Sequence, residues 1–251
     1  MRLNEATTLA TDRIVLRPYR RWHVPRYHEW MASEEMQQAT ASEPLTMEQE
    51  FEMQQSWRLD EDSKSAFAPK RLLTFIVHSR RTAAPDPNND PKAFLDAHND
   101  ASTMLGDVNL FLHEADPETD SEDDGTRRPE AADSTTRTPR PPRAEMEIMF
   151  PPTPSFPARS GLATHTLQVF LSYAAAELSI SPRSFFARIG FDNEKSLGLF
   201  RKLGFVEGKR VEVFREVELV WPGESDTTWP WEREPGWKYD VVADPRNEER
   251  D

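Results

Sequence analysis

The chain has 251 residues, of which 37% are hydrophobic and 21 are proline, so it is long enough for one large domain with some sequence left outside the core. Its formal net charge of −13 argues against a protein that binds a nucleic-acid backbone, because such a protein needs a basic face. There is no cysteine, which excludes disulfides, thiolate nucleophiles and cysteine-type zinc sites, and no apolar run is long enough to span a bilayer. We therefore expect an intracellular protein without nucleic-acid or membrane partners, and we place it in the cytoplasm with the nucleus as the alternative.

Much of the negative charge is concentrated in two segments. Residues 113–143 carry nine acidic and five basic residues, and residues 222–251 carry nine acidic and four basic residues. The rest of the chain is only mildly acidic, which leaves room for a basic pocket that binds an anionic cofactor. Low hydrophobicity with dense charge and proline indicates disorder, so we interpret 113–143, together with the proline-rich stretch 80–103, as flexible insertions at strand ends.

The first half of the chain alternates strands and helices. Apolar patterns predict strands over 13–18, 72–78 and 104–112. Between the first two strands, Val24–Met31 predicts a helix with proline in its first turn, and Thr46–Gln49 forms a capping box that starts another helix. We assign the aromatic residues of these helices to the core, with a wall that faces a substrate as the alternative.

The second half contains a strand, a glycine turn and a helix N-terminus in that order, which make a backbone site for a phosphorylated ligand. From residue 222 onward the chain either packs as an irregular strap or is mobile. The whole order predicts an α/β fold with a mixed sheet. The expected elements are a strand over 144–150, a turn over 158–163, a helix over 162–180, a strand over 184–190, a helix capped by Asp192 or Asn193 and ended by Gly204, and strands over 205–214 and 215–221.

Two short motifs carry a family resemblance. The first is Ala158-Arg159-Ser160-Gly161-Leu162-Ala163, and the second is Asn193-Glu194-Lys195-Ser196 followed by Phe200 and Gly204-Phe205. At this spacing they resemble the two signatures of the GNAT superfamily of acetyl-CoA-dependent N-acetyltransferases. Residues 23–31, 40–46 and 106–111 are similar to its N-acetyltransferase 9-like branch. The likeness covers about residues 1–78, 104–112 and 144–221.

The resemblance implies a fold and an activity. The fold is a mixed, mostly antiparallel central sheet flanked by helices over residues 1–221, with the two flexible insertions, followed by an acidic tail with tryptophan and proline at 222–251. The activity is direct transfer of acetyl from acetyl-CoA to a protein amine, with a protein N-terminus as the acceptor and tubulin as the partner linked to the branch. The alternatives are a binding protein with this fold and little catalysis, and an acetyltransferase of small-molecule amines.

The resemblance also implies where acetyl-CoA binds. Its pyrophosphate would lie along residues 159–164, and the end of the strand at Met149 and Phe150 would separate from its neighbour and leave backbone groups for the pantetheine arm. Asn193 would sit near the thioester, a role compatible with capping a helix. The cofactor-binding residues expected in this way are Met149, Phe150, Arg159, Ser160, Gly161, Leu162, Ala163, Thr164, Asn193, Ser196 and Phe200.

Two positions depart from the family pattern. Ala158 replaces the usual Arg or Gln of the first signature, so a side-chain contact to phosphate is lost or is supplied by Arg159. Phe200 stands where many relatives place a tyrosine that protonates the leaving thiolate, and phenylalanine cannot donate a proton. Water, Tyr173 or Tyr27 would then serve as the acid.

The candidate catalytic residues are Glu145, Glu147 and Asn193. Acetyl transfer to an amine needs a base and a donor for the thioester oxyanion, which we expect to be a backbone N–H near Met149 or Phe150. Glu145 and Glu147 alternate on one face of a strand, and two neighbouring carboxylates can raise the pKa of one of them. The resemblance implies the general base at Glu145, where several relatives place one. The alternative is a pair of solvated acids. The histidines show no metal-ligand spacing, so we expect no metal.

Overall fold

The computed structural model describes residues 4–40, 42–59, 72–113, 142–152, 160–223 and 228–244. The described strands are β1 Thr7–Ala10, β2 Ile14–Pro18, β3 Leu72–Ser79, β4 Met104–His113, β5 Arg143–Met149, β6 Phe185–Gly190, β7 Val206–Val211, β8 Glu216–Val220 and β9 Asp240–Ala243. The described helices are α1 Val24–Met31, α2 Glu34–Thr40, α3 Met47–Leu59, α4 Pro91–Ala97, α5 Leu162–Leu178 and α6 Glu194–Leu203.

All nine described strands lie in one sheet, in the order β7-β8-β6-β5-β4-β3-β2-β1-β9. Every neighbouring pair is antiparallel except β5 and β6, which are parallel because α5 crosses over between them. The predicted class, a mixed and mostly antiparallel sheet flanked by helices, is confirmed.

The main core lies between one face of the sheet and helices α5 and α6. The apolar stripe of α5 supplies Leu167, Phe170 and Ala174, all fully buried, and Phe170 meets Phe75 of β3 edge to face with ring centroids 6.2 Å apart. Leu167 and Phe170 each contribute about 1.5–3 kcal/mol through burial, so α5 anchors the layer.

The opposite face of the sheet is covered only in part. A second core cluster joins Tyr27 and Trp30 of α1 to Ile76 of β3 and Met149 of β5, so the layer of α1, α2 and α3 packs over the middle of the sheet. Gly106 brings β4 and β5 close together there, because a Cβ at this position would lie only 2.0 Å from the Met149 carbonyl oxygen. The glycine of the motif at 106–111 therefore has a packing reason.

The prediction that residues 80–103 form a flexible insertion is wrong in its second half. Pro91 begins α4, and Asp90 caps it by accepting a hydrogen bond from the Ala93 N–H at 2.9 Å. Phe94 and Leu95 are buried beneath the sheet edge. A proline at the first helical position after an aspartate is a helix start, and the surrounding prolines hid it. Of the second predicted insertion, residues 114–141 lie outside the described residues.

The C-terminal segment packs onto the domain. Of the two alternatives for residues 222 onward, an irregular strap and a mobile tail, the described part forms the strap. Trp229 and Trp231 are buried and stacked at 4.9 Å, and β9 pairs with β1. Asp244 forms a fully buried ion pair with Arg17 of β2, Nη2 to Oδ2 2.7 Å. Residues 224–227 and 245–251 lie outside the described part. Among the helices that the structure does describe, none combines the length and apolar character needed to cross a membrane.

Candidate active site

The sheet opens where β5 and β6 part. Their parallel pairing is limited to two registered pairs, Ala144 with Phe185 and Glu145 with Phe186. Beyond Glu145 the strands diverge, and β5 runs on to Met149 at the opening. The limited pairing agrees with the separation expected at Met149 and Phe150, and it leaves a slot in the sheet between β5 and β6.

Helix α5 begins directly after a left-handed glycine. Gly161 has φ 76° and stands at the N-cap, and its carbonyl accepts the first helical hydrogen bond from the His165 N–H at 3.0 Å. The N–H groups of Leu162, Ala163 and Thr164 precede that bond, so they have no carbonyl within the helix to pair with. A helix N-terminus of this kind favours an anion. The predicted Arg159 and the departure at Ala158 lie outside the described residues.

A basic side chain from the other end of the chain meets this turn. Arg13, between β1 and β2, donates from Nη2 to the Ser160 carbonyl at 2.8 Å. His165 lies 3.1 Å from Thr11 Oγ1 and packs on Trp237, so this half-buried side chain joins the helix to the β1–β2 turn and to the C-terminal segment. Burial, and then the Arg13 charge, lower its pKa.

The second motif forms the predicted capped helix. Asn193 Oδ1 accepts from the Ser196 N–H at 3.1 Å and caps α6, and Gly204 ends the helix with φ 105°. The capping role of Asn193 is thus confirmed, whereas its role at a thioester stays a prediction. Phe200 is only 2% exposed and packs edge to face on Phe205 at 5.4 Å, so in this structure it is a core residue.

The two strand acids have different surroundings. Glu145 Oε2 lies 2.8 Å from His113 Nε2 and 3.3 Å from Arg188 Nη1. For Glu147, desolvation by the surrounding protein, followed by the charges of Glu145 and Asp107, raises the pKa to about 7. Its side chain nevertheless remains exposed, so water reduces this shift, and its upward direction is the part that matters. Glu145 is held by Arg188 and His113, whereas the surroundings of Glu147 favour its protonated form.

A buried acid that the sequence analysis missed lies behind Glu147. Asp107 of β4 accepts at Oδ2 from Tyr27 Oη at 3.2 Å and from Asn109 Nδ2 at 3.0 Å. Burial raises its pKa to about 6, although these hydrogen bonds favour the charged form. The available signal was the pair of polar residues, Asp107 and Asn109, on one face of a strand that is otherwise apolar.

Comparison with known proteins places this architecture in a family. A model of the Acetyltransferase (GNAT) domain matches residues 13–206. The chain belongs to the GNAT acetyltransferase family. It is 36% identical over 222 residues to the alpha/beta-tubulin-N-acetyltransferase 9 of Drosophila melanogaster, covering 88% of this chain and 90% of that protein. It is 38% identical over 231 residues to the Homo sapiens protein of the same name, covering 91% and 90%.

A solved structure shows the same GNAT fold at low sequence identity. An acetyltransferase of Salmonella typhimurium, described as modifying the N-terminal serine of ribosomal protein L7/L12, gives a TM-score of 0.52 at 13% identity, with 84% of this chain and 96% of that chain covered. The family and the relatives together make this chain an acetyl-CoA-dependent N-acetyltransferase.

The GNAT fold brings the predicted residues together in two groups. Ser160 to Thr164 stand at the N-terminus of α5, next to the turn between β1 and β2. Glu145, Glu147 and Met149 lie on one face of β5, the strand that borders the slot. The structure adds Arg13 to the first group, and Asp107 with its partners to the second. No group of three His, Asp or Glu side chains in the described part of the chain is arranged to hold a metal ion.

Proposed function

We propose that this GNAT enzyme acetylates the N-terminal amine of a protein, that α- or β-tubulin is its acceptor, and that Glu147 is the general base. The single observation that carries the proposal is Glu147 itself, an exposed carboxylate with a raised pKa beside the parted strands. The names of the Drosophila and human relatives support tubulin as the acceptor. Such an acceptor would place the reaction in the cytoplasm.

The residues around the slot fit acetyl-CoA as the second substrate. The first-turn N–H groups of α5 and the Arg13 guanidinium would hold the pyrophosphate, because both are positive and Arg13 is bonded to the residue just before Gly161. Arg13 would supply the side-chain charge that Ala158 does not. The backbone of β5 near Met149, no longer paired with β6, would hold the pantetheine arm.

The chemistry is a direct transfer. Glu147 takes one proton from the acceptor's ammonium group, and the lone pair so freed on nitrogen attacks the thioester carbonyl carbon. The C–N bond forms, the C–S bond breaks, and the electron pair of that bond leaves with sulfur. The second proton of the nitrogen goes to the thiolate through water, and Glu147 returns its proton to solvent. A base with a pKa near the working pH suits this role.

Glu147 fits the role better than Glu145. Glu145 Oε2 is already engaged by Arg188 and His113, so it is not free to face an incoming amine. Glu147 lacks such a cation among the described residues and lies near two other acids, so it gains more from taking a proton. Glu145 instead raises the proton affinity of Glu147 through its charge.

The test uses purified protein, acetyl-CoA and short peptides with the N-terminal sequences of α- and β-tubulin, with the same peptides blocked at the α-amine as controls. We expect acetylated peptide and free coenzyme A thiol in equal amounts, and only from the unblocked peptides. If acetyl-CoA raises the melting temperature but no free-amine peptide is acetylated, the transferase proposal fails and the binding-protein alternative holds. Acetylation of other N-termini but not of tubulin's would refute only the acceptor.

A further inference from the structure

Three polar side chains stand in one row across the middle of the sheet. Thr74 of β3 is directly opposite Asn109 of β4, which is directly opposite Glu147 of β5. Thr74 and Asn109 are 6% and 5% exposed, yet Thr74 Oγ1 and Asn109 Oδ1 find no hydrogen-bond partner among the described residues. Unsatisfied acceptors in a buried place are costly, so this row is incomplete by itself.

The hydrogen bond to Asp107 fixes the orientation of the Asn109 amide. Asp107 Oδ2 accepts from both Tyr27 Oη and Asn109 Nδ2, and an ionised carboxylate can only accept. The amide nitrogen of Asn109 must therefore face Asp107, which turns the amide oxygen away from it. Tyr27 keeps its proton, since burial and then the Asp107 charge raise its pKa, and it remains a donor.

The surrounding charge favours a cation in front of this oxygen. Glu145 and Glu147 lie on the same face of β5, and Glu50 of α3 adds another carboxyl close to Tyr19 and Tyr27. Glu50 is 1% exposed, and its Oε2 also lacks a partner among the described residues. An ammonium group brings three N–H donors and a positive charge. It would therefore satisfy the unpaired acceptors and be attracted by the nearby carboxylates.

We propose that Asn109 Oδ1 and the Glu147 carboxylate together bind the acceptor's primary ammonium group, and that Asp107, held by Tyr27, positions the Asn109 amide for it. This rests on the proposed function. Glu147 is exposed and stands directly opposite Asn109, so an ammonium group that reaches Glu147 from solvent lies next to Asn109. The ammonium nitrogen first hydrogen-bonds both oxygens, and its proton then passes to Glu147. Asp107 does not touch the substrate, so it is a positioning residue.

The proposal predicts a change in amine recognition at constant cofactor binding. The probe is a pool of short peptides that carries each of the twenty amino acids at the first position, in free-amine form and in a desamino form with hydrogen in place of the amine. Retention of both forms by the coenzyme A-loaded protein is measured by equilibrium dialysis and mass spectrometry. The wild type should prefer the free amines by about tenfold or more, as expected for charge-assisted hydrogen bonds.

Asp107→Asn should reduce this preference to below about threefold, because an amide at position 107 can accept from or donate to Asn109 and no longer sets its orientation. The double variant Asp107→Asn with Asn109→Asp should restore it. The amide introduced at 107 then donates to the carboxylate introduced at 109, whose second oxygen accepts whichever way it turns. A role limited to stability would not be rescued by this exchange. Glu207→Gln, on the opposite face of the sheet, is the control for loss of one negative charge.

Melting temperatures with and without coenzyme A establish that each variant is folded and binds the cofactor. If Asp107→Asn does not fold, the double variant and Tyr27→Phe are measured instead. Tyr27→Phe is expected to lower the preference for free amines severalfold. The proposal is overturned if the wild type shows no preference for free amines, if Asp107→Asn keeps it, or if the folded double variant does not recover it. Preference for amines without any acetyl transfer would refute the proposed function and leave this site standing.

Discussion

The buried histidine pair His23 and His78 makes a prediction about stability and pH. The two Nε2 atoms lie 3.2 Å apart, and both side chains are fully buried. His23 Nδ1 accepts from the Arg20 N–H at 2.8 Å, so the proton of His23 is on Nε2 and is donated to His78. His78 then donates from Nδ1 to Thr103 Oγ1 at 2.8 Å. Both rings are satisfied only when they are neutral.

The sign of the pH effect follows from the pKa direction. Burial lowers the pKa of both rings well below the ordinary value. The neighbouring His78 lowers the pKa of His23 further, and Arg17 lowers the pKa of His78 further. Above the unfolded pKa of about 6.5 the folded and unfolded states are both neutral, and the full stability is present. As the pH falls below that value, the unfolded chain binds protons that the folded chain does not. Each ring then costs about 1.4 kcal/mol between about pH 7.5 and 5.5.

The test compares wild type with His78→Gln by urea unfolding at those two pH values. Asp107 and Glu147 have raised pKa values and act in the opposite sense, so the difference between the two proteins, rather than the wild-type slope, is the observable. We expect the variant to be less stable at about pH 7.5, but to lose about 1.4 kcal/mol less on acidification. Equal losses of unfolding free energy in the two proteins would refute the conclusion that both histidines are neutral in the folded state. The pair fixes the start of α1, which carries Tyr27 to Asp107.

Three further predictions concern the cofactor end and the strap. Arg13→Gln should weaken acetyl-CoA binding severalfold in titration calorimetry without changing the KM for the acceptor peptide, and an unchanged Kd would remove Arg13 from the site. Gly161→Glu should abolish most acetyl-CoA binding, because the new carboxylate repels the pyrophosphate. Gly161→Asn should retain most of the binding, because asparagine tolerates positive φ. Equal losses of affinity in the two variants would point to backbone strain alone. Asp244→Asn leaves the buried Arg17 without its counter-charge and should cost about 3–5 kcal/mol in urea unfolding. A loss below about 1 kcal/mol would show that this ion pair contributes little to holding the strap.

Local motifs were predictable from the sequence because their physics is local. A glycine turn before an apolar helix predicted the start of α5, and Asn193 with Gly204 predicted both ends of α6. The same patterns placed the strands that carry Glu145 and Glu147. These signals depend on neighbours within a few residues, which sequence periodicity and capping rules describe well.

Contacts between distant parts of the chain were not predictable in this way. Arg13 reaches a carbonyl 147 residues away, and Tyr27 reaches Asp107 across 80 residues. The short strands β1 and β9 gain their stability from pairing with each other and from the Arg17–Asp244 ion pair, and no local pattern marks them. The roles of the two strand acids could be distinguished only in the three-dimensional fold, because it places Arg188 against Glu145 and the buried Asp107 near Glu147.

The most direct test of the central claim is the pH dependence of kcat/KM for peptide acetylation by wild type, Glu145→Gln and Glu147→Gln. With Glu147 as the base, the wild-type rate should rise about tenfold per pH unit up to about pH 7. Glu145→Gln should shift that rise to lower pH, because it removes a charge that raises the Glu147 pKa. Glu147→Gln should lose the rise along with most of the activity. A profile in Glu147→Gln with the same rise as wild type would contradict the assignment.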